Sequence, residues 1–155
     1  KDKLFEHIFR EAFGKLVPEL TEIFTRPISI FEKIEQFTHA YISVVIEHPF
    51  IPVFVLSEIH RNPDDFFKTY IQPELLSNVQ IIGQQFANAV QTGTIRPIDP
   101  RQLIMNVMSL CVFPFVARPM LQRMMQLSDE AFQQMLEKRK TEVSQFIIQA
   151  IQPTK

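Results

Sequence analysis

Tryptophan is absent from this 155-residue chain, glycine occurs three times and cysteine once. Each scarcity removes a class of protein. Gly14, Gly83 and Gly93 are scattered, so no glycine-rich loop can wrap a phosphate, and nucleotide chemistry of the P-loop or dinucleotide kind is not supported. A single cysteine excludes an internal disulfide framework. Cys111 lies in an apolar stretch, reads as a buried, inert thiol and suits a reducing cytoplasm. Charge of either sign is lacking in net terms, because 16 basic and 17 acidic residues leave -1. Such a chain has no overall field to draw it onto nucleic acid or an anionic membrane. The longest uncharged run, QLIMNVMSLCVFPFVA between Arg101 and Arg118, falls short of the roughly 20 apolar residues that span a bilayer. With Asn106, Ser109 and Pro114 inside it, it predicts a buried helix and no membrane partner. No serine or cysteine stands in a nucleophile motif beside a base, so neither an enzyme nor a cofactor is expected.

What the chain does have is phenylalanine, at 15 residues, set in helical periodicity. Leu4, Phe5, Ile8, Phe9, Ala12, Phe13 and Leu16 recur at three- and four-residue steps and predict a helix over about 2–24, with Pro18 forcing a kink or restart near Val17. Ser29 caps a second helix bearing Ile30, Ile34, Phe37, Tyr41 and Val45, which ends before Pro49. FIPVFVLSEIHR predicts a third helix, started by Pro52, stopped at Asn62-Pro63, and buried on most sides at the centre of a bundle. A short amphipathic piece, DDFFKTYI, precedes a long helix that Pro73 starts and Gly93 closes. Asp99-Pro100 launches the uncharged helix; Pro114 and Pro119 bend or interrupt the chain at its far end; Ser128, with Asp129 and Glu130, opens a last helix reaching about Gln152. No strand pattern competes, and the fold class is an all-α multi-helix bundle forming a single domain over 1–155.

Three constellations suggest chemistry. Glu35 and His39 at i, i+4 could reach one metal ion, but no second carboxylate-histidine helix pair accompanies them, so no metal is expected. The aromatic and methionine surplus exceeds what a core of this size requires. Phe9, Phe13, Phe37, Phe54, Phe86, Met105 and Met108, with the polar groups His39, Tyr41 and His60, are expected to line an apolar small-molecule cavity. Along the last helix, Leu136, Arg139, Val143, Phe146 and Ala150 step three, four, three, four like a coiled-coil seam. With Asn106, Ser109 and Phe113 of the uncharged helix they are the expected faces of a homodimer, where Arg139 would find its hydrogen-bond partners on the other subunit.

Taken together, KDKLFEHIF, the turn GTIRPIDPRQL, the apolar helix behind it and the long last helix resemble the C-terminal half of a TetR-family transcriptional regulator. Lys1, Asp2, Lys3 and Leu4 resemble the point where that family's DNA-binding head runs into a connecting helix. Gly93 to Pro97, followed by Asp99-Pro100, resembles the turn into its penultimate long helix. The resemblance implies a cytoplasmic transcriptional regulator, read first as a repressor although the sequence does not separate repressor from activator. Its helix-turn-helix head is expected upstream of Lys1, and it would contact operator DNA only through that head. It also implies a homodimer built on the last two long helices, with an apolar or aromatic effector in the cavity. Without the head, no base-contacting residue can be named. A helical carrier of hydrophobic molecules that needs no DNA is the alternative from a different class.

Overall fold

The computed structural model describes residues 2–154, and among them every regular element is helical. The elements are α1 (Asp2–Thr25), α2 (Ile30–Glu47), α3 (Ile51–Arg61), α4 (Pro63–Tyr70), α5 (Pro73–Gln91), α6 (Pro100–Val116), α7 (Arg118–Met125) and α8 (Asp129–Ile151). Their starts are set locally. Ser29 Oγ accepts from the Glu32 amide, Asn62 Oδ1 from Asp65, Asp99 Oδ1 from Arg101 and Ser128 Oγ from Ala131, each at 2.8–3.1 Å. Each bond fills a donor that the first helical turn would otherwise leave open. Gly93 adopts φ +72 at the end of α5, where the Thr94 amide turns back to the Ala89 carbonyl at 2.9 Å. A side chain at that φ would be strained. The turn continues to Arg96, whose amide and Nε donate to the carbonyls of Ile151 and Ala150, placing a cation on the open end of α8.

The two prolines inside helices are accommodated differently. Pro18 and Gly14, whose carbonyl Pro18 cannot serve, are both exposed, so α1 runs through the proline as one element instead of restarting there. Pro114 is buried and orphans the Leu110 carbonyl. Arg139 of α8 answers it, Nη2 donating at 2.6 Å. The expectation that Arg139 reaches a second subunit is therefore corrected: the bond that the proline removes from α6 is supplied from α8 of the same chain.

Helix α2 occupies the centre, packed by α1, α5, α6 and α8. The expected central helix, α3, buries only Ile51 and Pro52; Val53 and Leu56 are exposed. Together with α4 it caps one end of the bundle over a separate small core of Phe9, Ala12, Ile51 and Phe66. A near-continuous apolar run shows that a helix has no strongly polar face, and cannot show how many neighbours it has. The last helix needs a second correction. Leu136 and Val143 join Phe132, Ile147 and Ile151 in a stripe buried within the chain, α8 packing chiefly on α2, whereas Phe146 and Ala150 face outward. The three-four seam straddles two faces of the helix, one turned in and one turned out.

Candidate functional site

Between α1, α2, α5 and α6 the bundle leaves a cavity of about 250 Å³. Helix α1 lines it for nearly three turns with Phe13, Leu16, Val17, Leu20 and Phe24; α2 contributes Ile34, Phe37 and Tyr41, α5 Ile82 and Phe86, and α6 Val107 and Met108. Val79 of α5 stays exposed at its rim. A second chamber of about 290 Å³ lies under α3 and α4, with Phe9, Arg10, Ile51, Phe66 and Tyr70 among its walls. Phe13, Val17, Tyr41, Leu75 and Met108 line both chambers, so the two adjoin along α1. The packing that leaves this space is aromatic: Phe24, Phe37 and Tyr41 stack in a row at 5.9 and 5.6 Å, and Phe9 stacks on Phe13 at 4.4 Å. Of these contacts Phe24–Phe37 crosses between α1 and α2, and rigid rings leave space where they do not interdigitate.

Two side chains in the first chamber are polar and buried. Asn78 of α5 donates through Nδ2 to the Val17 carbonyl at 3.4 Å. Lys33 of α2 donates through Nζ to the Phe24 carbonyl and to Gln85 Oε1, both at 2.8 Å, and desolvation holds its pKa below the usual lysine value. Burial pushes the Tyr41 phenol up, with neighbouring Cys111 adding to the effect, so Tyr41 stays neutral. Cys111 is fully buried and its thiol is pushed up to about 12, chiefly by desolvation, with nearby Arg139 opposing. A thiol so protonated is no nucleophile near neutral pH.

The structure brings together Phe13, Tyr41 and Met108 on both chambers, Phe37 and Phe86 on the first, and Phe9 on the second. Four other expected cavity residues lie elsewhere. Phe54 packs on Phe5, Phe9 and Tyr70 beside the second chamber without lining it. Met105 points outward from α6, 54% exposed, three residues and most of a helical turn away from Met108. His60 is exposed on α3, its Nδ1 2.7 Å from the Leu56 carbonyl. His39 is exposed and lines, with Glu35, Lys140 and Ser144, a polar groove between α1, α2 and α8. Among the described residues no group of three His, Cys, Asp or Glu could hold a metal ion. Lys33, Asn78, Leu16, Val17 and Leu20 were not anticipated as cavity residues. Lys33 carried a usable signal, since it interrupts the apolar stripe Ile30, Ile34, Phe37 of α2 at the i+3 position.

Residues 31–150 match the family described as Tetracyclin repressor-like, C-terminal domain. The chain belongs to that family. The match includes the turn from Gly93 to Pro97 and the Asp99-Pro100 helix start, whereas the Lys1–Leu4 stretch lies outside it. A search against curated proteins returned no match. The all-α bundle is of the TetR C-terminal type, and domains of this family are typically regulatory and not enzymatic. No single helix among the described residues is long and apolar enough to cross a membrane.

Proposed function

We propose that this domain is the effector-binding and dimerisation half of a TetR-family repressor, and that the chambers along α1 hold an apolar small-molecule effector. The observation that carries the reading is the apolar cavity set against α1, in a chain that belongs to this family. Because α1 lines both chambers, a ligand that favours one tilt of α1 biases the position of whatever that helix carries at its N-terminal end. A C-terminal domain of this family implies a helix-turn-helix segment on the N-terminal side. In a two-fold dimer reading half-sites one DNA turn apart, such a tilt alters operator binding.

The dimer reading is supported by α6, whose outward stripe of Gln102, Met105, Asn106, Ser109 and Phe113 is exposed and carries no charge. Phe146 and Ala150 of α8 are exposed as well. Arg139 ties α8 to α6, placing the two helices side by side. An uncharged helix face with exposed aromatics on it and beside it is the composition of a subunit interface.

The test of the effector site is a thermal-shift screen of apolar and aromatic compounds on this domain. A ligand at a hundredfold excess over its Kd should stabilise by about 2.7 kcal/mol through mass action. Replacing Met108, at the junction of the chambers, by Trp should abolish the shift. A hit that survives Met108→Trp unchanged binds elsewhere, and a screen with no hit counts against the cavity as an effector site. Translating the gene upstream of Lys1 tests the DNA-binding half, since a basic three-helix segment is required there.

A further inference from the structure

Two cations border the chambers, one towards each end, and they differ in what neutralises them. Arg10, in the second chamber, pairs with Glu6 at 3.1 Å and lies 5.3 Å over the Tyr70 ring. Lys33, in the first, is 8% exposed and forms no ion pair among the described residues. Both of its hydrogen-bond partners are neutral, although buried charges are as a rule paired. One partner does not need it, because Gln85 Nε2 already donates to the Phe24 carbonyl at 2.9 Å. An ammonium has three donors, and two are used. A neutral side chain could serve this corner of the bundle, so the uncompensated charge asks for a counter-ion. From Phe24, beside Lys33, to Phe13, where the second chamber begins, α1 walls the cavity over about 16 Å. The space is long and mostly apolar along its length, and of its two end cations the one without an ion-pair partner among the described residues is Lys33.

Taking the chambers as the effector site, we propose that the effector is a chain-like amphipathic monocarboxylate, its carboxylate on Lys33 and its apolar tail running along α1 towards Tyr41 and Met108. The carboxylate supplies the missing counter-charge and takes the third ammonium donor, and the tail buries apolar area that a compact aromatic would leave unfilled. Desolvation lowers the Lys33 pKa, a cost to the ammonium that a bound carboxylate would offset.

The experiment compares dodecanoate with dodecanol by calorimetric titration into this domain. The acid should bind about tenfold tighter or more, the contribution of a charge-assisted hydrogen bond in a dry site. Lys33→Met should remove that preference, Lys33→Arg should keep most of it, and Arg10→Gln should leave it. Equal binding of acid and alcohol overturns the carboxylate assignment while leaving an apolar effector site in place, and so does a preference that survives Lys33→Met or is lost in Arg10→Gln instead. Binding by neither probe, with naphthalene also failing, overturns the effector-site reading itself. Should Lys33→Met lose its helical circular dichroism, the Lys33 ε-methylene resonances of the wild-type domain decide. They should shift with dodecanoate and stay in place with dodecanol, and no shift with the acid rejects the proposal.

Discussion

Arg139→Ala isolates how a buried proline is tolerated in the middle of a helical bundle. Pro114 removes the amide that would serve the Leu110 carbonyl, and Arg139 Nη2 restores a partner at 2.6 Å from 29 residues away in sequence. Truncation leaves that carbonyl open in a partly buried setting, a loss of about 1–3 kcal/mol. Two terms oppose it. Arg139 Nε is buried without a partner, and desolvation lowers the pKa of the guanidinium, so removing the side chain also relieves a cost. A net destabilisation of about 1–2 kcal/mol is expected, which for a domain of this size lowers Tm by roughly 2–8 °C. The decisive form is a double-mutant cycle with Pro114→Ala. Alanine returns an amide at the right position, so in that background Arg139 has less to do, and Arg139→Ala should cost less than half as much. Chemical denaturation of the four proteins measures the coupling, and Lys138→Ala, on the exposed side of α8, serves as the control. If the two effects simply add, Arg139 is not substituting for the proline's missing amide.

Other tests address surface, thiol and buried charge. Phe146→Asp, at a position 66% exposed, should leave the helical content intact yet weaken self-association more than tenfold in sedimentation experiments; an unchanged dissociation constant would remove α8 from the proposed interface. Cys111, fully buried with its thiol pushed up to about 12, should resist disulfide reagents at neutral pH in the folded domain and react fully once denaturant unfolds it. The lowered pKa of Lys33 means that the unfolded chain binds the extra proton in the window below the ordinary value of 10.5. Stability should therefore rise as pH climbs through that window, and Lys33→Met should flatten this part of the profile measured by denaturant titration.

Helix starts and ends were legible because capping is decided within one turn. Ser29, Asp99 and Ser128 sit where their oxygens meet the amides two or three residues on, and the Asn62-Pro63 pair both stops α3 and starts α4. The same locality made the all-α class readable, and the aromatic surplus pointed to unfilled space. Which residues face that space was only partly legible. Phe13, Tyr41 and Met108 meet there, yet Met105 differs from Met108 only by a rotation about α6 that an uncharged helix does not reveal.

Sequence alone thus determined the long helices and that the thiol is buried, since periodicity and capping depend on near neighbours, but not the short helix α7. The longest uncharged run, expected to be a buried helix, is α6, which buries one face and exposes Gln102, Met105, Asn106, Ser109 and Phe113 on the other. Tertiary structure alone decided that α2 and not α3 is central, that Leu136 and Val143 turn inward, and that Arg139 serves Leu110. It also placed Lys33 beside Gln85, 52 residues on, at one end of an apolar cavity. These choices depend on which helix faces meet, and an apolar stripe is complementary to every other apolar stripe. Only the simultaneous packing of several helices, with each buried polar group needing a partner, selects one arrangement.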